Sequence, residues 1–370
     1  MKINSIKING YKNLRNVEIE PFEKTNIIFG DNAQGKTNLI EAIWISSGVK
    51  SFRGTRDRDF VDINGERAEI EVTFENSFRT QTIKIACARP NVREKSVTLN
   101  GVKLGSVSKL FGNLNCVVFT PEDLELSKGS PDNRRSFVDL SVSQIKNSYS
   151  SVISKYDNIL QQRNTLLKNI NYGSSKKDEL EVWDIQLARL GAYISMLRYN
   201  YVKKLNSFTK KLYNQISSGR EELELFYNSS VFKDLEGEED FNGKMAEEYL
   251  DLLKSTLYED LKFGFTQKGV HRDDVISTLD KLNTREFGSQ GQNRSVALVM
   301  KLAQAYILFE ETDEEPVILL DDVLSELDAG RQEFVKSKIE NFQIFITCCE
   351  KPNHKTDNQK LFEVKSGHIL

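Results

Sequence analysis

The sequence predicts an α/β protein, a mixed sheet with helices packed on it, interrupted by a mostly helical arm. Three observations point there. The short β-type run Asn26–Phe29 ends at Gly30-Asp31-Asn32-Ala33-Gln34-Gly35-Lys36-Thr37, after which Leu39, Ile40, Ile43 and Trp44 recur at helical spacing. The four apolar residues Val317–Leu320 run straight into Asp321 and Asp322, as in a parallel strand buried on both faces. Between these two segments, apolar residues recur at steps of three and four from Val138 to Leu212, the period of long helices.

Composition narrows the class. With 370 residues the chain exceeds what one core usually fills, which predicts two lobes. Hydrophobic residues at 39% and charged residues at 28% exclude a wholly disordered chain. The apolar runs Val317–Leu320 and Ile344–Ile346 are far too short to span a bilayer, and Met1–Gly10 has no apolar stretch of the secretory kind. The cysteines Cys87, Cys116, Cys348 and Cys349 form no CxxC pair, so a reduced, cytoplasmic setting is expected, with Cys348 and Cys349 packing beside a strand. The net charge of −3 hides an asymmetry. From Arg134 to Arg220 there are 15 basic and 6 acidic residues, and from Val231 to Asp260 there are 3 basic and 10 acidic. The first stretch offers a polyanion one positive region; the plainer alternative is the solvated face of surface helices.

Along the chain, Lys2–Ile8, Asn16–Glu20, Glu69–Phe74, Thr80–Ala86, Ser96–Leu99 and Asn115–Phe119 read as strands, and Asn100-Gly101 as a hairpin turn. Ser130-Pro131 reads as a helix start. The period from Val138 through Ile170, a polar loop at Asn171–Lys177, and its return from Trp183 to Leu212 predict an antiparallel hairpin of two helices, each roughly 50 Å long. Glu222–Tyr227 and Val275–Leu279 read as strands, Met245–Leu261 as an acidic amphipathic helix, and Gln290–Phe309 as a helix. The expected layout is an N-terminal head part over 1–123, a helical arm over 124–264, and a C-terminal head part over 265–370.

The residues from Gly30 to Thr37 match the P-loop pattern at every fixed position. Its glycines let the backbone amides wrap phosphates, Lys36 reaches the β and γ oxygens, and Thr37 offers a hydroxyl to Mg²⁺. Asp321, at a strand end, is placed to hold the same ion, and Asp322 to orient or deprotonate an attacking water. Ser289-Gln290-Gly291-Gln292 opens a helix, which puts a hydroxyl and free amides at its positive end; alone, it reads equally as a serine N-cap. Ser325–Asp328 forms another polar turn.

In this order, with Ile8–Leu14, Phe119–Leu124 and Gly269-Val270-His271-Arg272-Asp273-Asp274, these segments resemble the ABC-type ATPase heads of the SMC/RecF group, and within it the RecF family, over essentially the whole chain. The resemblance implies an ABC-type head fold with ATP and Mg²⁺ as ligands. Gly30–Thr37 of one copy and Ser289, Gly291 and Gln292 of another would sandwich the nucleotide, giving an ATP-dependent homodimer. It further implies a clamp on gapped or single-stranded DNA that helps RecO and RecR load RecA; the sequence carries no base-reading motif, so that binding is expected to be largely sequence-independent. Three positions depart from the wider ABC pattern. Asp322 stands where many have Glu, which predicts slow turnover. No glutamine stands clearly at the Q-loop place, where Glu122 and Asp123 lie instead. Thr347 replaces the histidine of transporter ATPases.

For DNA, the preferred phosphate contacts are Arg134, Arg135, Lys203, Lys204, Lys210 and Lys211, with Arg53, Arg56 and Arg58 as further candidates. Six contacts would give a log–log salt slope of about −5. His271 beside Arg272, Asp273 and Asp274 is expected to be a hydrogen-bonded turn, since no second His or Cys ligand stands near it. Two other functions compete: an ABC-type energy-coupling subunit for a separate partner, and a module that holds ATP without hydrolysing it.

Overall fold

The computed structural model describes residues 1–54, 57–88, 95–237, 240–352 and 358–370. The chain divides into two compact units, Met1–Glu125 with Arg294–Leu370, and Leu126–Asn293.

The first unit holds two sheets. One is antiparallel, in the order 17–19, 2–9, 67–75, 80–88, 96–99 and 102–104, and its strands alternate buried and exposed residues. Its last hairpin turns at Asn100 and Gly101, both with positive φ (51° and 80°), the backbone that a tight two-residue turn requires. The other sheet has the order 368–369, 359–365, 25–29, 344–348, 317–320 and 116–119 and is parallel except for its terminal hairpin. Val317–Leu320 and Cys116–Phe119 are buried throughout, as expected of strands covered on both faces. The edge hairpin Gln359–Lys365 with His368–Ile369 was not expected from the sequence; only Phe362 and Val364 of its longer strand are buried, too faint an alternation to stand out.

The second unit holds the helices Pro131–Ile145, Tyr149–Asn171, Glu181–Ile216, Lys244–Ser255, Leu257–Phe263 and Thr284–Phe287 and the first turn of Gln290–Thr312, beside a small sheet of 282–283, 274–279 and 223–228. At 36 residues, Glu181–Ile216 is about 54 Å long at 1.5 Å per residue.

Three expectations are corrected here. The first limb of the hairpin is not one helix: Lys146 is extended (φ −122°, ψ 92°), and Ser141 and Ser143 donate back to the carbonyls of Phe137 and Asp139, which weakens the preceding turns. The acidic helix breaks at Thr256, whose hydroxyl donates to Leu252 O. Residues 265–293, expected in the head, belong to the second unit because Asp274–Leu279 pairs with Leu223–Asn228 along its whole length.

Candidate functional site

The strands Thr25–Phe29, Ile344–Cys348 and Val317–Leu320 are parallel neighbours in the middle of the sheet, so their carboxyl ends lie side by side. The P-loop leaves the first of them. Gly30 (φ 146°) and Gly35 (φ 121°) adopt backbone that a side chain disfavours, and a Cβ on Gly30 would sit 2.3 Å from the Val364 carbonyl oxygen. The helix Lys36–Ser46 has no side-chain cap at Gly35, which leaves first-turn amides available to an anion. Lys36 is buried, and its Nζ donates to the carbonyls of Gly30 (2.7 Å) and Asp31 (2.9 Å), which holds the ammonium across the loop.

Thr37 Oγ1 donates to Asp321 Oδ1 at 3.1 Å, so the hydroxyl and carboxylate expected to share a cation do converge. Burial pushes the Asp321 carboxyl up to about 6, against the pull of the Thr347 and Thr37 hydroxyls. A hydroxyl and a carboxylate are hard oxygen donors, and the buried carboxylate lacks a neighbouring countercharge strong enough to offset its desolvation; the set fits Mg²⁺. Asp322 follows in the left-handed region (φ 51°), an uncommon conformation for a residue with a side chain. Two bonds hold it there. Its N–H donates to Thr347 Oγ1 (2.8 Å), and its carbonyl accepts from Ser325 Oγ (2.6 Å). Thr347 Oγ1 also lies 3.0 Å from Asp321 Oδ1 and 3.3 Å from Asp322 Oδ1, tying both carboxylates to the strand Ile344–Cys348.

Some parts of this region escape sequence reasoning. Gln34, expected among the nucleotide contacts, is also tied to the C-terminal hairpin: its side-chain carbonyl accepts from Ser366 N (2.6 Å) and its backbone carbonyl from Gly367 N (3.1 Å). Asn13 Nδ2 donates to Ala33 O (3.3 Å), and Asn38 Nδ2 to Asn13 Oδ1 (2.7 Å). The P-loop is therefore braced from outside by two segments distant in sequence. The only sequence signal for them is the Ile8–Leu14 stretch and an isolated Ser-Gly pair near the end. Asn32 has its Oδ1 3.2 Å from Cys349 Sγ, which places that exposed cysteine at the loop rather than in packing. Asp123 caps its own turn by accepting from Thr120 N (2.7 Å) and pairs with Lys301 (3.4 Å), a structural role, while Glu122 is exposed.

The Ser289 turn lies in the second unit and is exposed. Ser289 N donates to Gln292 Oε1 (2.7 Å) and Gln292 N donates to Ser289 Oγ (3.2 Å), a reciprocal cap that leaves the serine proton free to be donated. Gln292 Nε2 donates to Glu221 Oε1 (2.5 Å), so this side chain is engaged within its own unit. In the first unit, Asp328 caps the helix Ala329–Ile339 by accepting from Arg331 N, and Arg294 donates to Glu326 O, which fixes the Ser325–Asp328 turn.

Of the expected DNA contacts, two are corrected. Arg134 is buried: its Nε and Nη2 pair with both carboxylate oxygens of Asp274 (2.7 and 2.9 Å), and Nη1 donates to Gly129 O (2.7 Å). Arg135 is mostly covered and donates to Asp273 O and Asp132. Covered by the fold and held by these partners, neither guanidinium is available to a phosphate, unlike a lysine paired at the open surface. Lys203, Lys204, Lys210 and Lys211 are exposed and share one face of the helix Glu181–Ile216; Lys203 pairs with Glu236 and Lys210 with Glu222, both at the surface. Arg53 is exposed, with Nη1 donating to Asn38 Oδ1 (3.1 Å) beside the P-loop helix. Arg56 and the side chain of Arg58 lie outside the described residues. His271 is a hydrogen-bonded turn: Nε2 donates to Thr266 O (3.1 Å), which leaves Nδ1 to accept from Tyr156 OH (3.0 Å).

The chain matches the family model for the RecF/RecN/SMC N terminal domain over residues 2–368. It is 37% identical to the DNA replication and repair protein RecF of Clostridium botulinum, covering 100% of both chains, and 39% identical to that of Acetivibrio thermocellus, covering 95% of this chain and 94% of the other. A solved structure of the recombination mediator protein RecF with ATP, in the RecFOR pathway, superposes with a TM-score of 0.90 at 36% identity over 100% of this chain and 96% of that one. An SMC head bound to the C-winged helix domain of ScpA, at 15% identity and a TM-score of 0.55, shares the fold. The chain belongs to the RecF family of SMC-type ABC ATPases. Among the described residues, no helix is long and apolar enough to cross a membrane.

Proposed function

We propose that this chain is a cytoplasmic, ATP-dependent DNA-binding protein of recombinational repair and replication, a slow DNA-stimulated ATPase that works as a switch. The observation that carries the reading is the convergence of Lys36, Thr37, Asp321, Asp322 and Thr347 at the carboxyl ends of neighbouring strands, with the P-loop already braced. In it, Lys36 turns from the loop carbonyls to the β and γ oxygens of ATP, and the loop amides take the remaining phosphate oxygens. Thr37 and Asp321 would hold Mg²⁺, which neutralises charge on the β and γ phosphates when bound. Asp322, one methylene shorter than Glu, orients the attacking water from a backbone fixed by Thr347 and Ser325.

Ser289 and the amide of Gly291 contact the γ-phosphate held by a second copy, and Gln292 caps the turn that presents them. Two nucleotides thus join two chains head to tail, and hydrolysis releases them. The closed pair clamps gapped or single-stranded DNA through phosphate contacts, and helps RecO and RecR load RecA. With Arg134 and Arg135 withdrawn, the four exposed lysines carry the proposed phosphate set, and the log–log salt slope becomes about −4. The test is phosphate release from ATP with and without gapped duplex. DNA stimulation supports the switch; turnover indifferent to DNA at low salt contradicts it.

A further inference from the structure

We propose that Asn293 is the positioning residue for Ser289, and that Ser127, Arg134 and Asp274 form the support behind it. This gives the Gly269–Asp274 motif a role, and it rests on the reading of Ser289 as the γ-phosphate contact. All of these residues lie in the second unit.

Ser289 and Gln292 cap the helix reciprocally and need no further residue for that. Asn293, buried at 2% exposure, does something else. Its Nδ2 faces three carbonyls of the preceding turn, Thr284 (3.1 Å), Gly288 (2.9 Å) and Ser289 (3.0 Å). Its Oδ1 accepts from Ser127 Oγ (2.8 Å), which also lies 3.1 Å from Asn293 O. Gly288 makes this approach possible, since a Cβ there would stand 2.8 Å from Asn293 Nδ2 and 2.5 Å from Thr284 O.

The support continues inward. Arg134 Nη1 faces the carbonyls of Leu126 (3.5 Å), Ser127 (3.4 Å) and Gly129 (2.7 Å), which fixes the segment carrying Ser127. Arg134 is itself fixed by both oxygens of Asp274, the first residue of the strand Asp274–Leu279. That strand returns to the same turn through the contact between the Ser277 and Thr284 hydroxyls. The Ser289 turn is thus held from two sides by buried polar groups. A hydroxyl that must meet a phosphate to within about 0.5 Å needs such support, and Asn293 is the side chain that touches both sides.

The test uses the full chain. Asn293→Asp is nearly isosteric and replaces the donor with an acceptor facing three carbonyls. Ser127→Ala is the milder second variant. The measurements are kcat with gapped DNA, ATP affinity, and hydrogen-exchange protection of the Ser289–Gln292 amides. Asn293→Asp is expected to lower kcat about tenfold or more, to lower protection of those amides, and to leave ATP affinity within about twofold, with Ser127→Ala intermediate. A folded Asn293→Asp protein with unchanged kcat and protection overturns the proposal, as does a loss of thermal stability with kcat unchanged. Ser289→Ala separates the two ideas. If it keeps full turnover, the γ-phosphate reading fails, while loss of amide protection in Asn293→Asp still supports the positioning of the turn.

Discussion

Thr347→Val tests how the two carboxylates are held. Valine has the shape of threonine without the hydroxyl, and the site is 3% exposed, so the change removes hydrogen bonds with little change in volume. Two interactions go. The Asp322 N–H loses its 2.8 Å acceptor, and a carboxylate oxygen loses a donor, that of Asp321 at 3.0 Å being the nearer. A neutral bond of this kind contributes about 1 kcal/mol, and one to a charged group about 1.5–3. The total is about 2.5–4 kcal/mol. Part of it appears at Asp322, because left-handed backbone at a non-glycine residue persists only where neighbours enforce it, and one of its two anchors is gone. If about 2 kcal/mol of the loss falls on the transition state, turnover drops roughly thirtyfold. ATP affinity stays close to that of the unmodified protein, because the Lys36 ammonium is held by the Gly30 and Asp31 carbonyls rather than by Thr347. The assay is single-turnover phosphate release at saturating ATP alongside equilibrium nucleotide binding. Unchanged turnover would show that Thr347 does not hold the carboxylates in their working positions, and a collapse of ATP affinity with turnover intact would place its role in binding instead.

Lys36→Ala is expected to abolish ATP binding and pairing together, read by fluorescent-nucleotide titration and light scattering; pairs persisting at full strength would contradict the P-loop assignment. Asp322→Asn is expected to trap the ATP-bound pair, and phosphate release at the normal rate would remove Asp322 from its role. Acid stability reports on His271, which burial lowers to about 4 from an ordinary 6.5. The unfolded chain takes up this proton below about 6.5 and the folded chain only near 4. The histidine therefore makes stability fall as pH drops through that window, by roughly 3 kcal/mol at most. His271→Gln should flatten urea midpoints between pH 7 and pH 4.5 relative to the unmodified chain, and parallel curves for the two proteins would sink this.

The sequence exposes local signals more readily than distant partners. Gly30–Thr37 and Val317–Asp322 are contiguous, each carries its chemistry in one short run, and both lie where expected. Arg134 and Arg135 look like surface cations because nothing nearby in the chain reveals Asp274, 140 residues away, or the Asp273 carbonyl. The braces on the P-loop fail for the same reason: Gln34 meets Ser366 across 332 residues. Asn293 sits inside a helical period, where an asparagine reads as a neutral surface residue until its three carbonyl partners are seen. The break at Lys146–Ser148 is hidden because the apolar period runs across it unbroken.

In the proposed switch, ATP joins two copies of this chain through the P-loop of one and Ser289 of the other. Sedimentation velocity with ATP and gapped DNA, run on the unmodified protein and on Ser289→Arg, tests it most directly. Two-copy complexes for the first, and single chains that still bind ATP for the second, are the predicted result. Single chains in both, or pairs in both, would contradict it.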